Sequence, residues 1–197
     1  MIKPFAESCE QNQEPILSVI KPLFADCNAI LEIGSGTGQH AVHFAAAMPH
    51  LTWQTSEQVE NHAGIELWLD DARLSNLYPP LTLDVKQPKW PSLSVDAVFS
   101  ANTLHIMDWN GVEATFKGVG QLLEKGGLLV VYGPFNYNNS YTSKSNEQFD
   151  GWLKSRNPQS GIRNFEDLDQ LAKSARMELQ QDSEMPANNR ILCWRRC

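Results

Sequence analysis

The segment AILEIGSGTGQHA sets Glu32, Gly34, Gly36 and Gly38 at alternate positions directly behind a short apolar run. Glycines so spaced let the backbone turn sharply and let a ligand approach main-chain atoms with no Cβ in the way. Three kinds of ligand compete for such a turn. A nucleoside triphosphate asks for GxxxxGK[ST], and no lysine follows these glycines. A nicotinamide fingerprint fits from Gly36 through Gly38 to Ala41, but that register starts two residues beyond the strand end, where the dinucleotide turn itself should start. Counted from Gly34, its closing position is Gln39, which does not fit. The register without slippage is Glu32-x-Gly34-x-Gly36-x-Gly38, with Ser35 and His40 beside the turn.

Further polar residues fall at the ends of expected strands, where open α/β sheets bind ligands. Glu57 lies about twenty residues past the glycines; there an acid can accept both hydroxyls of a ribose, the alternative being a solvated loop charge. Asp84 ends the run LTLDV, as a ligand contact or as a turn cap. Asn102 and His105 follow the next strand in FSANTLHIM. His105 has the intrinsic pKa range of a general base, and its alternative is a histidine hydrogen-bonded against the sheet edge.

The acid-and-glycine register resembles motif I of the class I S-adenosylmethionine-dependent methyltransferases. The cofactor that this implies has no phosphate but carries an ammonium, a carboxylate and a sulfonium. An acid near the turn suits the cationic parts, and N–H groups at the following helix start suit the carboxylate. The resemblance implies that Glu32, Gly34, Ser35, Gly36, Gly38, His40, Glu57, Asp84 and Asn102 hold S-adenosylmethionine, Asp84 through the adenine amino group. A longer set of segments resembles the DUF938 family: EQNQEPIL, LEIGSGTGQHAVHFA, LTWQTSE, PLTLDV with KWP, DAVFSANTLHIM, LLVVYGPFNY and GIRNFEDLDQLA, spread over residues 10–172. That family usually has arginine where Gln11 stands, so no charge is kept there for a substrate carboxylate. It commonly has aspartate where Glu57 stands, which keeps the acid and lengthens its reach. The family implies the fold and the cofactor, and no known methyl acceptor.

Methyl transfer from a sulfonium is an in-line displacement, and positioning alone can supply about 7–11 kcal/mol of barrier reduction in favourable models. A base is therefore optional; His105 is the expected one. Asn12, Asp108, Trp109, Tyr132, Asn136 and Tyr137 are expected around a small-molecule acceptor. His40 and His43 share a helical face but have no further ligands near in sequence, so no metal is expected. Residues 136–145, polar and turn-rich, form a lid or an exposed connection. The functional expectation is a small-molecule methyltransferase. The alternatives are a non-catalytic S-adenosylmethionine-binding protein of the same fold and, behind both, a nicotinamide-dependent oxidoreductase.

These residues need a scaffold, and short β-branched runs alternating with helical patterns supply an α/β sheet. A helix is expected in EPILSVIKPLFADC, with Pro15 near its first turn, inside a helical extension over residues 1–28. Strands are expected at 29–33, 51–56, 81–85, 96–100 and 127–135, and helices at 39–48, 60–73, 112–123, 146–154 and 164–175. MELQQDSEM and RILCWRR, joined by Pro186-Ala187-Asn188-Asn189, can pair only as antiparallel neighbours. The expected whole is a single Rossmann-like domain over residues 1–197, a seven-stranded class I methyltransferase sheet with an antiparallel C-terminal hairpin and helices on both faces.

Composition agrees with a globular chain: 42% hydrophobic and 20% charged over 197 residues, with no apolar run long enough for a membrane span. Net charge is −7, and residues 1–98 carry 12 acidic against 5 basic side chains. Phosphate backbones would be repelled from the half that holds the glycine turn, so no nucleic-acid partner is expected, and Lys154, Arg156 and Arg163 read as solvated surface. Cys9, Cys27, Cys193 and Cys197 form no CxxC pair and read as free thiols. With no apolar signal core in MIKPFAESCEQNQEP, a cytoplasmic location is expected; the oligomeric state is open.

Overall fold

A computed structural model describes residues 3–197. Its helices are α1 (Glu7–Leu23), α2 (Gln39–Ala47), α3 (His62–Ala72), α4 (Trp109–Leu122), α5 (Lys144–Arg156) and α6 (Phe165–Ser174). Strands β1 (Ala29–Ile33), β2 (Thr52–Glu57), β3 (Leu77–Thr82), β4 (Ala97–Ala101), β5 (Leu128–Gly133), β8 (Met177–Met185) and β9 (Asn189–Arg196) form one seven-stranded sheet, ordered β3-β2-β1-β4-β5-β9-β8. The pairs from β3 to β5 are parallel, while β9 runs antiparallel to both β5 and β8. β6 (Phe135–Asn136) and β7 (Arg163–Asn164) make a separate two-residue ladder.

Alternation along each strand divides the core in two. Ile30, Phe99, Val130 and Cys193 face α1 and α2, packing with Ile16, Ile20 and Phe44. Their chain neighbours Leu31, Val98, Leu129 and Trp194 face α4 and α6, packing with Phe116 and Leu168. A strand's period of two puts successive side chains on opposite faces, so near-continuous apolar runs mean burial on both. Strand order reverses at β1, with β2 on one side and β4 on the other. The crevice beyond the carboxyl ends at that point is where such sheets take ligands.

Three local expectations give way. α1 starts at Glu7, not near Glu14, and runs through Pro15 and Pro22. An interior proline costs about 3 kcal/mol, and the full burial of Ile16 and Ile20 offsets it. The third strand lies at Leu77–Thr82 rather than at 81–85 and passes through Pro79 and Pro80. It is the sheet's edge, where a missing N–H costs no ladder bond. The strand expected over 127–135 stops at Gly133, and Phe135–Asn136 turns away to pair with Arg163–Asn164.

Candidate functional site

Gly34, Gly36 and Gly38 all adopt left-handed φ values, +74°, +58° and +88°. At Gly34 size matters as well as φ, because a Cβ would stand 2.6 Å from Thr103 Oγ1. The turn is tied down from behind: Gly34 and Ser35 N–H both donate to Ser56 O at 3.1 Å. Ser35 Oγ donates to Glu32 Oε2 at 2.9 Å, and Trp53 Nε1 reaches the same oxygen at 3.2 Å. Glu32 is therefore buried beneath the turn, outside the cleft lining, as an anchor for Ser35. Burial, its largest cause, raises its carboxyl to about 7, and the Glu57 charge adds to the shift.

Above the turn lies a cleft of about 970 Å³. Gly34, Ser35, Gly36 and His40 line it from the β1–α2 junction. Glu57 lines it from the end of β2, Asp84 from beyond β3, and Asn102 and Asp108 from beyond β4. These eight expected residues thus share one cavity. Glu57 Oε2 accepts Gly36 N–H at 3.0 Å and Oε1 accepts Gln58 N–H at 2.8 Å. Asp84 caps its own turn, with Oδ1 accepting Lys86 N–H at 3.0 Å, and also lines the cavity. Asp108 Oδ1 accepts Gly111 N–H at 2.7 Å and so starts α4 three residues before the sequence pattern does. That bond first, and the Lys86 ammonium at 3.2 Å second, hold Asp108 below the usual carboxylate range.

Other expected residues stand elsewhere. His105 is buried and absent from the cleft lining; it meets Phe149 edge-on at 5.4 Å between ring centroids. Burial, and then the Arg163 charge, push it down to about 4, so it is neutral near pH 7. Asn12 and Tyr132 do not line the cleft. Asn12 braces a residue that does, its Oδ1 lying 2.6 Å from His40 Nε2. His40, stacked on Phe44, is likewise pushed by burial to about 4. Trp109 Nε1 donates to Glu113 at 2.9 Å, and the Tyr137 hydroxyl donates to Asp182 at 2.8 Å, both outside the cavity lining. Asn136 is buried, with Oδ1 lacking a partner among the described residues. Gly38 begins α2 as its N-cap.

Several wall residues carried no sequence signal. Pro4, Ala6, Ser8 and Cys9 close one side of the cleft. Gln39 holds that segment by accepting Ala6 N–H at 2.6 Å and donating to Ala6 O at 3.3 Å. Thr103, Ile106 and Met107 line the side beyond β4, with Asn157 and Gln159 near them. Arg163, expected in solvent, is half-buried, its guanidinium donating to the carbonyls of Leu104, Met107 and Gln159.

Solved structures share the fold. An O-methyltransferase family protein from Burkholderia thailandensis aligns with a TM-score of 0.84 at 13% identity, over 96% of this chain and 57% of that one. Mitomycin 7-O-methyltransferase gives 0.84 at 16% identity over 96% and 54%, and human N-acetylserotonin methyltransferase in complex with SAM gives 0.78 at 14% over 96% and 53%. The chain thus spans about half the length of these proteins. They establish the class I methyltransferase fold, seven strands with the last antiparallel. The model of a family described as a protein of unknown function, DUF938, matches residues 3–196, and the chain belongs to that family.

Proposed function

We propose that the chain binds S-adenosylmethionine in the cleft above the glycine turn and transfers its methyl group to a small-molecule acceptor. The observation that carries this reading is Glu57. Its two oxygens accept one backbone N–H each, which leaves about two of a carboxylate's four acceptor directions for ribose hydroxyls. The same carboxylate takes Gly36 N–H at 3.0 Å, a donor that a pyrophosphate over the turn would need, and this disfavours a nicotinamide dinucleotide. Asp84 accepts Lys86 N–H on Oδ1 and Gln87 Nε2 on Oδ2, which leaves about two of its four acceptor directions for an amino group. The fold shared with methyltransferases supports the same cofactor.

The bound cofactor would supply an electrophilic methyl on sulfur. The chain's own contribution is then alignment. His40, held at 2.6 Å by Asn12, and the wall of Asn102 and Thr103 fix the shape of the cavity around the reacting centre. His105, neutral and behind the wall, is a weak base at neutral pH. The reading therefore places the rate enhancement in positioning, with an acceptor that loses its proton to water.

Titration calorimetry with S-adenosylmethionine and S-adenosylhomocysteine tests the binding step. We expect micromolar binding that Glu57→Ala weakens at least about tenfold, the cost of losing a charged acceptor. No binding at millimolar ligand overturns the proposal, and unchanged affinity removes Glu57 from the site. Release of S-adenosylhomocysteine over a metabolite panel then separates a transferase from a binding protein.

A further inference from the structure

Between β4 and α4 the chain makes a single turn, Ile106 and Met107 N–H both donating to Thr103 O. The next four carbonyls, Leu104 to Met107, leave that turn without helical partners, and one distant segment takes all four. Arg163 Nε donates to Leu104 O at 3.1 Å and Gly161 N–H to His105 O at 2.9 Å. Ser160 Oγ donates to Ile106 O at 2.7 Å, and Arg163 Nη2 donates to Met107 O. The segment is itself fixed, because the buried carboxylate of Asp150 accepts Ile162 N–H at 2.7 Å, Lys154 Nζ at 2.6 Å and the Tyr141 hydroxyl at 2.7 Å.

Arg163 spends its guanidinium on carbonyls and, among the described residues, has no carboxylate in direct contact. A planar fork holds its N–H donors in fixed directions toward two carbonyls three residues apart, whereas an ammonium on a flexible stem has no such preorganisation. What it braces is cavity wall: Thr103, Ile106, Met107 and Asp108 all face the cleft. From the other side Lys86, beside Asp84, pairs with Asp108 at 3.2 Å. The braced turn therefore stands at the end of the cleft where Asp84 lies.

We propose that the loop of residues 160–163 is a clamp for this wall, and that Arg163 is a positioning residue setting the width of the adenosyl end of the cleft without touching the ligand. The inference rests on the cofactor reading above. It gives the GIRNF stretch a role: Gly161 and Arg163 act on the site from more than fifty residues away in sequence.

The test is S-adenosylmethionine affinity in Arg163→Gly, Arg163→Lys and Ser160→Ala, each first shown to unfold cooperatively. Arg163→Gly should bind about tenfold more weakly, within the range by which residues distant from a ligand alter its binding. Added ethylguanidinium, which can reoccupy the fork's place, should restore most of the affinity. Arg163→Lys should stay weakened because charge without the fork lacks that preorganisation, and Ser160→Ala should lose severalfold. Unchanged affinity in the glycine or the alanine variant, or a loss that ethylguanidinium leaves untouched, overturns the clamp. If Arg163→Gly does not fold, Ser160→Ala decides alone. A parent chain that ignores S-adenosylmethionine refutes the cofactor reading, whereas a parent that binds and variants that bind equally refute only the clamp.

Discussion

Among the described residues Glu32 is a carboxylate with two hydrogen-bond donors and no cation, buried behind a turn that it anchors. Its pKa, raised by burial from 4.5 to about 7, means that the folded chain holds this proton more tightly than the unfolded one. The stability it contributes is present below pH 4.5 and is lost as pH rises through about 7. His40 and His105 act in the opposite sense. Burial lowers both from 6.5 to about 4, so their contribution is present above 6.5 and is lost as pH falls toward 4. Glu32→Gln isolates the first effect. In denaturant titrations the variant should gain on the parent between pH 4.5 and 7, by roughly 3–4 kcal/mol, and hold that gain above pH 7. Curves that stay parallel with pH would show that Glu32 is ionised in the fold. At this scale the sequence brings Glu57, Asp84 and Asn102 to the cleft lining, because the chain leaves the sheet there at its strands' carboxyl ends. It could not separate Glu32 beneath the turn from Glu57 above it, since depth is set by Trp53 and Ser56 packing behind the glycines.

Among the elements, those written in local chemistry were legible. β1 follows from its apolar run, α2 from the glycine ahead of it, and the β8–β9 pair from a connection too short for anything but antiparallel return. β3 was misplaced because Tyr78-Pro79-Pro80 reads as a break, and only its edge position makes the prolines harmless. The amino-terminal segment was invisible as cleft wall for a different reason: its partners are distant. Trp68 Nε1 donates to Pro4 O at 2.7 Å, Lys3 Nζ sits 3.7 Å from the Trp68 ring and 2.6 Å from Asp71, and Gln39 grips Ala6. Gly64 is the close point of this strap, since a Cβ there would stand 2.8 Å from Pro4 Cγ. In Gly64→Ala the gain of about 1 kcal/mol in α3 propensity competes with that overlap, and the half-buried strap is the partner that yields. Global stability should therefore change by less than about 1 kcal/mol, while the Ala6 amide exchanges its hydrogen faster. An Ala6 amide as protected as in the parent would show that the strap tolerates the methyl group in place.

For the molecule as a whole, the cleft is assembled from parts that share little sequence proximity: Pro4 to Cys9, the β1–α2 turn, the ends of β2 and β3, the turn after β4, and Asn157 with Gln159. A ligand that fills it joins both faces of the sheet to the strap, so binding and folding must be linked. At ligand a hundredfold above Kd, linkage adds about 2.7 kcal/mol to stability. A chain of 197 residues gains about 2–4 °C per kcal/mol, so S-adenosylmethionine and S-adenosylhomocysteine should each raise Tm by roughly 5–11 °C. NAD should leave it unchanged, because the Glu57 carboxylate already takes the Gly36 N–H that a dinucleotide's pyrophosphate would need. Hydrogen exchange gives the spatial side of the same prediction. Protection on adding S-adenosylhomocysteine should rise together in residues 4–9, 34–40, 57–61 and 101–108, as expected if one ligand touches all four. Protection confined to a single segment, or a Tm that rises with NAD instead, would mean that the cavity holds a different molecule.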